Sequence, residues 1–474
     1  MKATARLTYQ KVRFDVSGKA HLVIGLTAPH VEWERKRPPV CVISVVDVSG
    51  SMRGAKLHRA NQSVMKLVDH LAPGDFCGVV SFSEEVAVVS PPVEMTQARK
   101  EALKVAVGRL EDLGSTNLAG GMLEGLRLAN ESRLPEGMLV RVILFTDGRA
   151  NVGVATKSGD LLALLHQSLG RATLSAFGYG EDADQELLRD LSTRGKGNYA
   201  FVSGPDDAMT AFARELGGLL STYAQDIELR VRPVGDHRVT SVLSDVDAEP
   251  EGKGAVVRVP DLLADEVRNV VLAVEIAPHA GPTTSPVTAF EVAGRYTAFA
   301  EGERLARESF SLEATVERVR PGEEQQKPEP DLDAVVAQAE LARAQIDAEE
   351  LARKGKHVQA VQVLTLLCDD LEVRGHAAVA RACKEVAETV AGEAEFERSG
   401  AYRASMRKGL GRDAAVMYEG EAMAVLYQMG LGRSTAAQER MAESFKRGEG
   451  AGVKPAGRSA GAESSVRRKR SRRW

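Results

Sequence analysis

The feature that most constrains the fold is a repeated alternation of apolar, strand-like runs with helix-like stretches between residues 38 and 223. The run "VCVISVVD" is followed by "GAKLHRANQSVMKLVDHL", in which apolar residues recur at three- and four-residue spacing. Continuously apolar strands that alternate with helices are typical of a parallel sheet covered by helices on both faces. The pattern therefore predicts a doubly wound α/β domain over residues 38–223, with its last helix at 206–222.

One pair of strands in this segment departs from the parallel pattern. "DFCGVVSFS" and "EEVAVVSP" follow each other directly. The connection between them is too short for the crossover that two parallel strands need. One of these strands is therefore expected to run antiparallel to the rest of the sheet.

The segments on either side of the α/β domain alternate apolar and polar residues instead. "ARLTYQKVRFDV" and "KAHLVIGLTA" predict a hairpin of two strands within residues 1–35, and six similar runs predict a β-sandwich over 225–320. An isolated hairpin cannot bury its apolar face. We therefore expect the hairpin to join the sandwich, so that the α/β domain is inserted between two parts of one β domain.

The remainder of the chain predicts helices and a tail. With 474 residues the chain is long enough for several domains. "PGEEQQKPEP" at 321–330 is typical of a linker. Residues 331–446 predict a helical domain, with breaks at Gly355 and Gly375 and further helices near 413–428 and 434–446. The fold class is thus α/β plus β plus α.

The tail, residues 447–474, is rich in Gly, Ala and Ser and ends in "VRRKRSRRW", although the whole chain carries a net charge of −4. A solvated, disordered tail is the simpler interpretation of this composition. The alternative is an electrostatic contact with nucleic acid or with an acidic partner.

The cysteines and the hydropathy pattern bear on the compartment. No two of the four cysteines stand at metal-binding spacing, and Cys41 and Cys77 fall in apolar runs where buried thiols are expected. No run approaches the ~20 apolar residues of a membrane span. The first residues also lack the apolar core of a signal peptide. We therefore expect a cytoplasmic protein without membrane contact.

Polar side chains follow two of the apolar strands. "VISVVD" ends at Asp47, which opens the sequence Asp-x-Ser-x-Ser with Ser49 and Ser51, and "VILFTD" ends at Asp147. In a doubly wound sheet such residues line the crevice at the carboxyl ends of the strands. Thr116, in the loop "GSTNLAGG", can reach the same crevice.

Two carboxylates and three hydroxyls are hard oxygen ligands that suit Mg²⁺ or Mn²⁺. Because the hydroxyls are neutral, they leave much of the metal's charge uncompensated, which favours an additional carboxylate from outside. The alternative is that Ser49 or Ser51 caps the following helix and that the aspartates lie in ordinary turns.

The residues Asp47-x-Ser49-x-Ser51, Thr116 and Thr146-Asp147-Gly148 resemble the metal-ion-dependent adhesion site of von Willebrand factor A domains. The resemblance covers residues 38–223 and implies a Rossmann-like sheet of order 3-2-1-4-5-6 with one antiparallel edge strand. It further implies that Mg²⁺ (or Mn²⁺ or Ca²⁺) is held by the serines, the threonine and the aspartates, directly or through water. An acidic side chain of a partner protein then completes the coordination.

The order of the parts also resembles that of bacterial multidomain A-domain proteins. In the von Willebrand factor A family the last helix, 206–222 here, often shifts when ligand binds. Partners of A domains in many systems include AAA+ ATPases, which is an expectation by analogy alone.

Three classes of function compete. The favoured class is a non-enzymatic, metal-dependent protein-binding scaffold. The second is a nucleic-acid-associated scaffold that uses the basic tail, although no interleaved aromatic pattern supports it. The least favoured is a Mg²⁺-dependent hydrolase, because the sequence has neither a Walker loop nor a G-x-S-x-G elbow, and His58 falls in an amphipathic helix.

Overall fold

The computed structural model describes residues 1–30, 39–135, 138–180, 183–202, 222–299 and 305–399. The helices predicted at 206–222, 413–428 and 434–446 and the basic tail lie outside the described residues, except that Thr222 already begins a strand. Within the described ranges no helix is both long enough and apolar enough to cross a membrane.

The strands, in chain order, are β1 (Lys2–Leu7), β2 (Lys11–Arg13), β3 (Gly18–Thr27), β4 (Val40–Asp47), β5 (Phe76–Phe82), β6 (Val86–Glu94), β7 (Leu139–Thr146), β8 (Thr173–Tyr179), β9 (Lys196–Val202), β10 (Thr222–Pro233), β11 (Arg238–Val242), β12 (Asp247–Glu251), β13 (Gly254–Val259), β14 (Leu262–Leu263), β15 (Val267–Ile276), β16 (Val287–Phe299) and β17 (Leu305–Val319). The described helices are α1 (Ala55–His70), α2 (Gln97–Gly108), α3 (Leu118–Glu131), α4 (Ser158–Ser168), α5 (Gln185–Arg194), α6 (Pro330–Arg353), α7 (His357–Val373), α8 (Ala377–Thr389) and α9 (Glu393–Arg398).

The α/β domain, residues 40–202, contains a six-stranded sheet of order β6-β5-β4-β7-β8-β9. Its strands are parallel except β6, which runs antiparallel to β5. The predicted sheet order and the antiparallel edge strand are therefore confirmed. Two apolar clusters cover the sheet, one formed with α1 and α2 and the other with α3, α4 and α5. The central strands β4 and β7 are buried along their whole length, as their apolar sequences require.

The remaining strands form two further sheets, one of order β1-β3-β15-β11 and one of order β12-β13-β10-β16-β17-β2 with β14 paired to β10. Strand β1 pairs antiparallel with β3, which also pairs with β15. The first residues of the chain thus share a sheet with residues 267–276, and the α/β domain lies between them in the sequence. Both sheets contribute to one apolar core.

The first predicted strand differs from the structure. "ARLTYQKVRFDV" does not form one strand, because β1 ends at Leu7 and Lys11–Arg13 pairs parallel with β17 in the other sheet. Between them the backbone N–H of Gln10 donates to Gln325 Oε1 at 2.8 Å, away from the β3 ladder. Competition from this long-range contact breaks a strand that is locally continuous in the sequence.

The helical segment begins at Pro330, and its helices break at Gly355 and Gly375 as predicted. These glycines have φ values of 71° and 86°, the left-handed conformation that favours glycine at helix ends. Helix α6 packs on the four-stranded sheet, where Val336 contacts a small cluster with Val23 and Val271.

A buried ion pair joins the α/β domain to the β domain. Arg141, near the start of β7, donates from Nη2 to Asp261 Oδ2 at 2.5 Å and from Nη1 to Ser175 Oγ at 3.0 Å. The side chains of Arg141 and Asp261 are 3% and 9% exposed. The amino end of β7 is thus fixed to the β domain, and its carboxyl end faces away from this contact.

Candidate metal centre

The two predicted aspartates lie side by side at the carboxyl ends of the central strands. Strands β4 and β7 pair in parallel with Val46 opposite Phe145, so that Asp47 ends β4 and Asp147 directly follows β7. Both residues are 0% exposed. The structure therefore brings two buried carboxylates together, an arrangement that is unfavourable unless cations or hydrogen-bond donors compensate their charge.

Hydrogen bonds hold the Asp47 carboxylate in a fixed orientation. Its Oδ1 accepts the backbone N–H of Ser49 at 2.8 Å, and its Oδ2 accepts the hydroxyl of Thr146 at 2.5 Å. The same Thr146 oxygen accepts the N–H of Gly148 at 2.9 Å. Thr146 therefore links the two aspartate-bearing loops. Its place beside Asp147 is visible in the sequence, whereas its hydrogen bond to Asp47 is not.

Burial raises the pKa of Asp47 to about 6. The neighbouring Asp147 carboxylate contributes to this rise, and the hydrogen bonds from Ser49 and Thr146 oppose it. The direction shows that the hydrogen bonds of the protein do not fully compensate the ionised form.

The two serines lie in the turn between β4 and α1. Their hydroxyl oxygens are 3.0 Å apart, with Ser49 buried and Ser51 exposed to solvent. A short 3-10 helix at Gly50–Met52 separates β4 from α1, and the residue at the N-cap of α1 is Gly54. Ser49 occupies the N-cap position of the 3-10 helix, but its side chain makes no capping hydrogen bond, and neither serine is at the N-cap of α1.

Thr116 is buried beside this turn, and backbone contacts fix its loop. The N–H of Gly50 donates to the carbonyl of Gly114 at 3.0 Å, which joins the loop to the serine turn. On its other side, the N–H of Thr116 donates to Asn151 Oδ1 at 2.8 Å, and its carbonyl accepts the N–H of Asn151 at 3.1 Å. The loops that carry Ser49, Thr116 and Asp147 are therefore joined to one another.

A lysine that the sequence analysis did not single out also belongs to the site. Lys56 Nζ lies 3.3 Å from Asp147 Oδ2, and its side chain is 19% exposed. The signal in the sequence was a basic residue at the second position of a helix, where the helix dipole disfavours positive charge.

The donor set fits a hard divalent cation. Among the described residues no group of three or more His, Cys, Asp and Glu side chains could hold a metal. The site instead combines two carboxylates with hydroxyl groups, all oxygen donors of the kind that Mg²⁺ accepts together with water. The exposed Ser51 hydroxyl places this donor set at the protein surface.

Comparisons with known proteins agree with this fold. Residues 42–214 match the family described as von Willebrand factor type A domain. Inter-alpha-trypsin inhibitor heavy chain H1 of Bos taurus is 28% identical over 242 residues, which are 45% of this chain and 27% of that protein. Heavy chain H4 of Homo sapiens is 32% identical over 160 residues, 32% of this chain and 17% of that protein. The chain thus spans about a quarter or less of the length of these relatives, which are mammalian, and the bacterial-type assignment stays a prediction.

Two solved structures share the fold over most of the chain. A von Willebrand factor type A protein from Catenulispora acidiphila has a TM-score of 0.62 at 20% identity, over 81% of this chain and 89% of that one. The ArnB paralog VWA2 from Sulfolobus acidocaldarius has a TM-score of 0.57 at 17% identity, over 88% and 99%. At these sequence identities the likeness shows a shared fold and nothing more. Together with the family match and the sheet order, it identifies residues 42–214 as a von Willebrand factor type A domain.

Proposed function

We propose that this protein is a metal-dependent protein-binding module whose A domain takes up Mg²⁺ through Asp47, Ser49, Ser51, Thr116 and Asp147. The observation that carries the proposal is the pair of buried carboxylates at the ends of β4 and β7, beside a pair of serine hydroxyls of which that of the exposed Ser51 belongs to a surface residue. The cation would supply a Lewis-acidic position for a carboxylate of a partner protein. Mn²⁺ and Ca²⁺ are the alternative ions.

The residues of the site have different proposed roles. The two aspartates supply the negative charge that attracts a cation, and their burial keeps water from screening it. The serine and threonine hydroxyls are neutral donors, so they add coordination without cancelling the cation's charge. Thr146 orients the Asp47 carboxylate through its 2.5 Å hydrogen bond. The partner's acidic side chain is then attracted by the remaining charge.

The proposed scaffold has no catalytic residues of its own and acts in the cytoplasm. All four cysteines are free and buried, as expected for a protein in a reducing compartment. An assembly that contains an AAA+ ATPase is one candidate source of the partner.

Titration calorimetry with Mg²⁺ tests the metal site. We expect binding heat for the unmodified protein and none for Asp47→Ala, because this change removes one of the two charged ligands. Asp112→Asn is the matched control, since Asp112 lies in a neighbouring loop and pairs with Arg53 at 2.7 Å. Equal Mg²⁺ affinity in the folded Asp47→Ala protein, or no binding of any of the three ions by the unmodified protein, contradicts the proposal.

A pull-down in Mg²⁺ and in EDTA tests the interaction itself. Proteins retained in Mg²⁺ and lost both in EDTA and with Asp47→Ala are expected, and mass spectrometry identifies them. Substitution of an acidic residue in such a partner should then abolish its capture. A partner that is held equally well in EDTA would argue against metal-dependent binding.

A further inference from the structure

Lys56 occupies an unusual position in the metal site. It is the second residue of α1, which begins at Ala55 directly after the serine turn. Its Nζ lies 3.3 Å from Asp147 Oδ2, and its side chain is 19% exposed while that of Asp147 is 0% exposed. The amino end of a helix carries partial positive charge, so a lysine there is electrostatically disfavoured in the absence of a nearby anion. The contact with Asp147 supplies that anion.

The charges of the site can be counted from these residues. Asp47 and Asp147 contribute two negative charges and Lys56 one positive charge, whereas Ser49, Ser51 and Thr116 are neutral. The formal charges of these six residues sum to one net negative charge before a cation binds and to one net positive charge with a divalent cation bound. Without the lysine, the formal charges of the two carboxylates and a divalent cation would sum to zero.

We infer that Lys56 is a fixed counter-ion that makes divalent-cation binding at this site depend on a carboxylate from the partner. This inference rests on the proposed function and adds a regulatory property to it. Lys56 repels the incoming cation and lowers its affinity in the absence of partner. A partner carboxylate restores neutrality in a poorly solvated site, where uncompensated charge is costly. Metal and acidic partner therefore bind cooperatively, each raising the affinity of the other.

The lysine also has a role in the metal-free protein. There its positive charge partly compensates the two buried carboxylates by pairing with Asp147, so its removal leaves the aspartates to repel each other. Loss of Lys56 is therefore expected to have opposite effects on the two states: it destabilises the metal-free protein and strengthens metal binding. A lysine that only supports the structure would not tighten metal binding when removed.

The test compares Lys56→Met, which keeps the aliphatic stem, with Lys56→Arg, which keeps the charge. By titration calorimetry, Lys56→Met should bind Mg²⁺ about tenfold more tightly than the unmodified protein, because one nearby repulsive charge is gone. Its melting temperature in EDTA should fall. Lys56→Arg should stay near the unmodified protein in both measurements, as should Lys66→Met, a control on the same helix away from the site.

Acetate, the simplest carboxylate, probes the cooperativity. At constant ionic strength and equal free Mg²⁺, replacing chloride with acetate should tighten Mg²⁺ binding in the unmodified protein more than in Lys56→Met. If Lys56→Met binds Mg²⁺ no more tightly than the unmodified protein, or if acetate acts equally on both, the inference is overturned while the metal site stands. If the unmodified protein binds no divalent cation, the inference and the proposed function both fail.

Discussion

Strand β7 has buried charged groups at both ends, and the two ends differ in how their charges are balanced. At its start, Arg141 and Asp261 form an ion pair 2.5 Å long with side chains 3% and 9% exposed. Beyond its end, the carboxylates of Asp47 and Asp147 are both 0% exposed, and Lys56 contacts Asp147. At the start of β7 the two opposite charges balance each other, and the pair joins two domains. Beyond the end of β7 the named groups carry an excess of negative charge, which suits reversible binding of a cation.

The ion pair at the start of β7 should contribute more to stability than the charged groups beyond its end. Replacing Arg141 by Met leaves the Asp261 carboxylate without its guanidinium partner in a buried position. Loss of one member of a buried ion pair costs about 3–5 kcal/mol. Chemical denaturation of Arg141→Met should therefore show a fall of this size in the free energy of unfolding, with Mg²⁺ affinity retained in the folded protein.

An exposed ion pair in the β domain provides the control for this prediction. Arg238 and Glu275 approach to 2.6 Å, but their side chains are 58% and 27% exposed. Solvent-exposed pairs of this kind contribute little to stability, because water screens the two charges. Arg238→Met should accordingly change the unfolding free energy little. Equal small losses for the two arginine variants would contradict the difference between a buried contact and a surface contact.

The excess of negative charge beyond the end of β7 should make the stability of the metal-free protein depend on pH. The folded state holds the Asp47 proton up to a pH of about 6, above the ordinary carboxyl range, because burial raises its pKa. The folded state therefore binds more protons than the unfolded state in this interval, so stability falls as pH rises. In EDTA, the contribution of Asp47 to the unfolding free energy should decrease by about 3 kcal/mol from its ordinary carboxyl range to above 6.

Three comparisons sharpen this measurement. Asp47→Asn should lack the decrease, because the amide does not titrate, and Asp112→Asn should keep it. Mg²⁺ should recover the lost stability of the unmodified protein above pH 6, since the cation compensates the ionised carboxylate. The unmodified protein and Asp47→Asn having the same pH profile in EDTA would show that the Asp47 carboxylate is already balanced by the protein itself.

The two ends also differ in what the sequence could reveal. Asp47, Ser49, Ser51, Thr116 and Asp147 were predicted because each follows a strong local signal, a strand end or a loop before a helix. The Arg141–Asp261 pair spans 120 residues and two domains, so no local pattern identifies the partner of a charge inside "LVRVILFT". For the same reason Gln325 interrupts the first predicted strand without any signal near residue 10.

Lys56 and Thr146 represent an intermediate case. Both stand within a few residues of predicted ligands, so the sequence placed them near the site. Their roles depend on the direction of their side chains, which only the packing of β7 against β4 and α1 determines. Local sequence therefore indicated the candidate oxygen donors, whereas the groups that orient and neutralise them required the three-dimensional structure.

Thr146 gives the smallest of the expected effects and separates orientation from charge. Thr146→Val preserves the shape of the side chain but removes the hydroxyl that donates to Asp47 Oδ2 at 2.5 Å. A hydrogen bond to a charged group contributes about 1.5–3 kcal/mol, so the unfolding free energy at neutral pH in EDTA should fall by about 2 kcal/mol. The matched control is Thr240→Val, because the Thr240 hydroxyl donates to the Ala273 carbonyl at 3.0 Å on the exposed surface.

Since the Asp47 carboxylate would lose a donor that favours its ionised form, its pKa should rise, and the pH-dependent loss of stability should extend to higher pH. If Thr146→Val instead leaves that pH profile unchanged, the hydroxyl does not stabilise the ionised form of Asp47.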